Sequence, residues 1–365
     1  MVNFHFSFFV SLVVGVMTTI YCIYLLKPAA MHIGLVDIPG GRKTHSQAVP
    51  LIGGIAIFVG YSFSLLCLNI SLSHYRGLLA GSAVLILIGV MDDFRELTPR
   101  IRLAGQCLVA FLLIEWGHLS LLHLGNLFFL GDVNLGLASL MITVFFVLGF
   151  INAINMIDGH DGLAGLIVVG QASLLMLMNV IFGRVQHVYL LSLLIATLCA
   201  FLLFNLPLFF KKRATIFLGD AGSTFIGFVI VWFAIDLSQV TVSHFNAHFH
   251  FTPVTVLWIL AYPLFDLLAV IAHRFRIGKS PFTGGRDHLH HMLLDLGLRS
   301  MTVTIVLFIF SLSLGLMGFF LASQQLSEPW QCMIFSVVLL VYFFIAFALQ
   351  RFLFFREKLM SNRSA

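Results

Sequence analysis

"NAINMIDGHDGL" (residues 152–163) lies between two long apolar runs and gathers two asparagines, two aspartates, a histidine and two glycines into a dozen positions. Its flanks decide the fold. Runs of roughly 20 apolar residues, enough to cross a hydrocarbon core of about 30 Å as helix, recur on both sides of it and along the chain. With 365 residues, 10% charged side chains, 39 Phe and a mean hydropathy of +1.05, the composition excludes a water-soluble domain and predicts a polytopic membrane protein. Backbone polar groups in hydrocarbon need internal partners, so the expected class is all-α.

Eleven transmembrane helices are expected, centred near residues 16, 60, 84, 109, 145, 172, 196, 229, 261, 311 and 340. The first, "FHFSFFVSLVVGVMTTIYCIYLL" (residues 4–26), is too long for a signal-peptide core and lacks a basic start, so it reads as a retained span. Alternate threading collects residues 27–49, the loop after Met91, "NMIDGHDG", "KKRATIFLGDAG", Arg274 to Arg299 and the C-terminal tail on one side. That side holds 18 of the 20 Lys and Arg, with only Arg76 and Arg184 opposite. The positive-inside rule makes the crowded face cytoplasmic, the N-terminus outside and the C-terminus cytoplasmic. Topology, with attraction to anionic lipid or substrate, accounts for the net charge of +5 without a nucleic-acid partner. No internal repeat or low-complexity segment divides the chain, so residues 1–365 read as one integral-membrane domain. Cys22, Cys67, Cys107, Cys199 and Cys332 fall inside apolar runs without metal or disulfide spacing and are expected to be buried thiols.

The acids follow the same asymmetry, 11 of 15 falling on the cytoplasmic side. Asp92 and Asp93 end the third span; adjacent carboxylates suit a site where Mg²⁺ or cationic side chains compensate them, or a solvated loop start paired with Arg95, Arg100 and Arg102. In the opening stretch, Asn152 and Asn155 share a helix face, and Asp158 and Asp161 each precede glycine. Two turns and a helix N-cap would explain one aspartate; the second and both asparagines favour a polar site. "FLGDAGST" (residues 217–224) places Asp220 between glycines before the eighth span. It reads either as an N-cap or as a site where backbone and helix N-terminus approach phosphate and Asp220 holds its metal.

"GRDHLHHML" (residues 285–293) lies in a basic loop with Arg274, Arg276, Lys279 and Arg286. Zn²⁺ would need convergent Cys or His partners that no other loop clearly supplies, so His288, His290 and His291 suit recognition of phosphate or sugar hydroxyls, or an exposed polar loop. Asp266, some eight residues inside the ninth span from Arg274, either supports the site or pairs within the bundle. No P-loop, GxSxG, HExxH or kinase motif appears.

These motifs, in this order on the cytoplasmic ends of the spans, resemble the polyprenyl-phosphate N-acetylhexosamine-1-phosphate transferases over nearly the whole chain. "GLVDIPGGRKTHSQAVPLIGG" (34–54), "NAINMIDGHDGL", "FLGDAGST" and "DHLHH" (287–291) look most like the bacterial branch that uses UDP-GlcNAc and undecaprenyl phosphate. The branch that transfers phospho-MurNAc-pentapeptide shows Lys-Gly-Thr-Pro where this chain has "QAVP" (47–50); it and other N-acetylhexosamine donors are the nearest alternatives.

The resemblance implies transfer of GlcNAc-1-phosphate to undecaprenyl phosphate at the cytoplasmic face of the bacterial inner membrane. The products would be UMP and undecaprenyl-diphosphate-GlcNAc, which starts a surface glycan of O-antigen or enterobacterial common antigen type. It implies Mg²⁺, with Mn²⁺ as a substitute, held by Asn155 and Asp220. Asp92, Asp93, Asp158 and Asp161 would be catalytic. Asn152, Asp158, Asp161, Arg286, His288, His290 and His291 would bind nucleotide-sugar, with Arg274, Asp266 and His160 in support; a homodimer is a further expectation. His160 departs from the family, whose members commonly carry an apolar residue there, and places a group with an ordinary pKa near 6.5 in the site. A transporter or scrambler would instead show acids or broken helices at mid-depth in corresponding halves, which the sequence does not clearly present, and a structural membrane partner would leave the motifs unexplained.

Overall fold

The computed structural model describes residues 2–38, 47–207, 213–240, 252–280 and 285–364. Arg42, Lys43, Lys211 and Lys212, which enter the charge asymmetry, and "PGGRKTHS" (39–46) of the first family motif lie outside the described residues.

The described chain is a helical bundle. Its helices are α1 (Val2–Ile33), α2 (Gly53–Leu66), α3 (Arg76–Arg95), α4 (Pro99–Glu115), α5 (Ser139–Ile157), α6 (Leu163–Ile181) and α7 (Val185–Asn205). They continue with α8 (Gly219–Ser238), α9 (Pro253–Ile259), α10 (Ala261–Arg276), α11 (Leu289–Asp295), α12 (Ser300–Ser323) and α13 (Glu328–Ser364). A short antiparallel ribbon of β1 (Val36–Asp37) and β2 (Val49–Pro50) pairs Val36 with Pro50. The all-α polytopic class is borne out.

A helix stands at each of the eleven expected centres. Among the described residues, eight helices are long and apolar enough to cross a membrane, or nine if α9 and α10 form one span. Two of the expected spans are shorter: α2 has 14 residues and α4 has 17. At ~1.5 Å per residue α2 reaches about 21 Å, less than a hydrocarbon core. Its approach is partly extended backbone, where Leu51 bridges Phe217 ahead of α8.

The ninth expected span is broken, with α9 and α10 meeting at 78°. Thr252 caps α9 reciprocally with Thr255. Pro263 then stands in the first turn of α10, where its missing N–H breaks no intrahelical bond. Two prolines ten residues apart, Pro253 and Pro263, were the available signal.

α8 is the axis of the bundle, with 89% of its apolar window buried. It packs against α3, α5, α2 and α6. Phe225, Phe228, Trp232 and Phe233 are fully buried along it, as expected of a helix apolar all round. α13 is the opposite case, 11% buried, presenting Phe344, Phe352 and Phe354 outward. Cys107 and Cys199 also face outward and the other cysteines are half-buried, so the expectation of buried thiols is corrected. In a bundle bathed in lipid, outward faces are as apolar as the core, and sequence polarity does not separate them.

Candidate active site

The polar ends of α3, α4, α5 and α8 meet at one end of the bundle. α3 stops at Glu96, whose left-handed backbone turns the chain and whose N–H donates to the Asp92 carbonyl. The fold-back lets the buried Asp92 carboxylate accept from the Leu97 N–H at 2.6 Å and from Arg102 Nη1 at 3.2 Å. The same guanidinium lies 3.9 Å from Asp220 Oδ2. Asp93 does different work: its oxygens accept the N–H groups of Asp220 at 2.7 Å and Ala221 at 3.2 Å. These first-turn amides have no partner within α8, so Asp93 caps that helix from across the bundle and complements its positive end.

On α5, Asn155 Nδ2 donates to Asp220 Oδ1 at 2.5 Å and to Ser223 Oγ at 2.9 Å. One turn earlier, Asn152 and Gln106 of α4 exchange amide hydrogen bonds at 2.7 and 3.4 Å. The two expected metal ligands are thus in contact, and Asn152 is tied to α4 beside them. Asp92, Arg102, Gln106, Asn152, Asn155, Asp220 and Thr224 line one cleft, with Leu85, Ile88 and Gly89 as its apolar wall.

The loop between α5 and α6 closes the site. Asp158 terminates α5, and Gly162, at φ +75°, begins α6 in a conformation that side chains with a Cβ rarely adopt. Neither Asp161 nor Asp220 caps its own helix, since the N-cap residues of α6 and α8 are Gly162 and Leu218. Burial, with the charges of Asp220, Asp93 and Asp161, holds the Asp158 carboxyl well above the usual carboxylate range. Asp161 accepts the Ala214 N–H at 3.5 Å, and its carbonyl accepts the Thr304 hydroxyl at 3.2 Å. Asn205 accepts from the Gly162 N–H at 2.8 Å and donates to the Ile216 carbonyl at 2.9 Å, joining this loop to the segment before α8. His160 turns to Ser300 at the start of α12, with Nε2 at 2.8 Å from its hydroxyl and 3.0 Å from its carbonyl.

The histidine motif approaches from α11. Asp266 is 2% exposed and accepts from the Leu289 N–H at 3.0 Å and the Tyr342 hydroxyl at 2.8 Å, while His288 Nδ1 lies 2.7 Å from its other oxygen. It therefore anchors the start of α11 within the bundle. The His290 and His291 rings lie 4.1 Å apart, against the backbone of Gly159. Burial, then the charge of His291, pushes the His290 imidazole well below its ordinary range; burial, then Arg286, lowers His291 to about 4. Both are neutral donor–acceptor rings at pH 7. Arg274 pairs with Asp287 at 3.0 Å and Arg286 with Asp295 at 2.7 Å, so these two cations bind first to acids of their own loop.

The donor set suits a hard cation. Asp92, Asp93, Asp158 and Asp220 bring carboxylates together, and among the described residues the Arg102 guanidinium lies in ion-pair range of Asp92 and Asp220. Burial first, and then the charges of Asp220, Asp93 and Asp161, raise the Asp158 carboxyl. Oxygen ligands and excess negative charge fit Mg²⁺ or Mn²⁺, and rotation of the Asn155 amide would turn its oxygen to the Asp220 side.

Sequence reading did not single out Gln106, Asn205, Ser223 or Thr304. Gln106 and Asn205 carried a signal, as lone polar residues in the apolar runs "LAGQCLVAF" and "AFLLFNLP". Of the three arginines expected to pair with the Asp92–Asp93 loop start, the Glu96 turn brings Arg102 to Asp92.

Comparison with known proteins adds the following. The sequence model of glycosyl transferase family 4 matches residues 75–238. The chain is 34% identical over 330 residues to an undecaprenyl-phosphate alpha-N-acetylglucosaminyl 1-phosphate transferase of Yersinia pestis, covering 90% of this chain and 86% of the relative. Proteins of the same description are 32% identical in Escherichia coli strain K12 (91% of this chain, 86% of the relative) and 36% identical in Haemophilus influenzae (80% of each).

Proposed function

From the premise that the chain belongs to the polyprenyl-phosphate N-acetylhexosamine-1-phosphate transferases of glycosyl transferase family 4, we propose that it transfers GlcNAc-1-phosphate from UDP-GlcNAc to undecaprenyl phosphate. The motif resemblance is borne out at the level of the family. The observation that carries the reaction is the contact of Asn155 with Asp220 in a cleft that Asp92 and Arg102 share. A soluble nucleotide and a membrane lipid must meet where span ends reach water, and the cleft joins acids to the apolar wall of Leu85 and Ile88.

In this reading an oxygen of the lipid phosphate attacks the sugar-bearing phosphorus of UDP-GlcNAc. The bond to the bridging oxygen breaks, and UMP leaves with that oxygen. Asn155 and Asp220 would hold Mg²⁺, with Mn²⁺ as a substitute; the cation supplies charge stabilisation to the diphosphate when bound. Arg102, between Asp92 and Asp220, offsets charge on the acceptor. Asp93 orients the first turn of α8, so that Asp220 is presented at a fixed angle. His290 and His291, neutral and beside Gly159, would hydrogen-bond the sugar or nucleotide, and His288 is set by Asp266. Asp158 and Asp161 shape the nucleotide loop.

A phosphate monoester has its second pKa near 6, so the acceptor is mostly dianionic at pH 7 and has little proton to give a base. Both Asp92 oxygens already accept hydrogen bonds. Asp92 therefore positions the acceptor side, and transfer is direct; a trapped phospho-GlcNAc enzyme would reject direct transfer. The charge asymmetry supports a cleft on the cytoplasmic face of a bacterial inner membrane, in a chain that we read as one unit.

The test is conversion of UDP-[¹⁴C]GlcNAc to butanol-extractable lipid by purified protein with undecaprenyl phosphate. Labelled lipid and UMP, dependent on Mg²⁺ and lost in Asp220→Ala, are expected. No product with folded protein, when other UDP-sugars do react, would replace the donor.

A further inference from the structure

A second polar cluster stands at the far end of α8. Asp236 lies 16 residues beyond Asp220 on the same helix, about 24 Å away at ~1.5 Å per residue. Its Oδ1 is 3.3 Å from His74 Nε2, and its Oδ2 is 3.0 Å from His187 Nε2. One ligand atom from each of the three residues lies within 4.8 Å of the others. The candidate active site uses none of them.

The imidazole of His187 is built in. Its ring stacks on Trp232 at 6.0 Å, packs edge-on to Phe233, and has Nδ1 3.2 Å from the Tyr75 hydroxyl. Arg184 Nη2 lies 3.0 Å from His187 Nε2 and 2.5 Å from Asp236 Oδ2. Arginine can only donate. Its bond to Nε2 therefore assigns the lone pair to Nε2 and the proton to Nδ1, where the Tyr75 oxygen accepts it. A histidine ligand needs this arrangement, with the outer nitrogen donating to a fixed partner and the inner one offering its lone pair. The Nε2 lone pair and a carboxylate oxygen then face each other across 3.0 Å, with the guanidinium bonded to the one and ion-paired with the other.

We propose that His74, His187 and Asp236 form a binding site for a Zn²⁺-class transition metal at the end of the bundle opposite the active site, with the Arg184 guanidinium holding the cation's place in the metal-free protein. Zn–N and Zn–O bonds near 2.0–2.1 Å set tetrahedral ligand spacings of about 3.3 Å, and each imidazole stands at about that distance from one of the two Asp236 oxygens. Two imidazoles and one carboxylate favour Zn²⁺ over Mg²⁺, which prefers oxygen alone. His74 is 49% exposed and gives the ion an approach, and Arg184 at the start of α7 swings aside when the ion enters. The ion would pin the start of α3, α7 and the end of α8, two of which carry active-site acids at their other ends.

The test uses the full chain without a polyhistidine tag, in detergent and stripped with chelator. Metal content is measured after Zn²⁺ loading, and the visible d–d spectrum after Co²⁺ loading. We expect one Zn²⁺ per chain, a tetrahedral Co²⁺ spectrum and a raised thermal midpoint. All should be lost in His187→Ala and Asp236→Asn and kept in His291→Ala, which separates this site from the histidine motif. Arg184→Gln should bind about tenfold more tightly, because a competing cation is gone. His74→Ala guards against misfolding of the buried variants, since that side chain is half-exposed. Absence of Zn²⁺ at micromolar concentration, or stoichiometry unchanged in folded His74→Ala, would overturn the proposal.

Discussion

Asp92 and Asp93 are neighbours in sequence with different tasks: one pairs with Arg102, the other caps α8. Asp92→Asn should lower kcat over the whole range and leave the shape of the pH profile above pH 7 unchanged. Recovery of activity with rising pH would mean that Asp92 acts as a base. Asn155→Ala and Asp220→Ala should each cost about 10²–10³-fold in kcat. The double variant should cost little more than either single one, because the two act as a unit; full additivity in the radiochemical assay would separate their roles. His291 is neutral in the folded protein down to about pH 4, against 6.5 when free. The unfolded chain therefore takes up the proton first, and stability falls as pH drops from 6.5 to 4 before levelling. His291→Gln should flatten that slope in thermal melts recorded across the window.

At the scale of elements, the approach of α3 to α8 sets the site. A Cβ on Gly89 would lie 2.2 Å from the Ala221 Cα, against backbone that cannot yield without moving the first turn of α8. Gly89→Ala should cost about 1–3 kcal/mol of stability. It should also cost about 10²-fold in kcat, as an ångström's displacement of catalytic groups does. Gly81→Ala, two turns earlier on α3, meets the side chains of Phe228 and Val109 and not the backbone of the first turn of α8. It should reduce the thermal midpoint and leave kcat within a few-fold. Equal loss of activity in both would show that α3 tolerates no added volume anywhere, and that the site has no special claim on Gly89.

For the whole molecule, the proposed orientation places Lys279 inside and His118 outside. In a background with the five native cysteines replaced, His118→Cys should react with a membrane-impermeant maleimide in intact spheroplasts, and Lys279→Cys only after permeabilisation. The reverse pattern would invert the topology and move the active site to the outer face. The charge asymmetry behind this prediction is a property of the loops, which is why it was legible before any helix packing was known.

The sequence by itself determined the all-α class, the positions of the helices and the four motifs, because hydrocarbon forbids unsatisfied backbone and punishes isolated polar groups. Asn155 and Asp220, 65 residues apart, were named from motif and found in contact. Tertiary structure alone decided three other things. It shortened α2 and broke the ninth span, since apolar length does not record whether a run is straight. It gave Asp93 to the amides of α8 and chose Arg102, among the three arginines the sequence offered, for Asp92, because both depend on how α3 ends and what it crosses. It also gathered His74, His187 and Asp236 at the far end, three residues scattered over 162 positions that carry no motif and meet only because the turn before α3 and the start of α7 reach the end of α8.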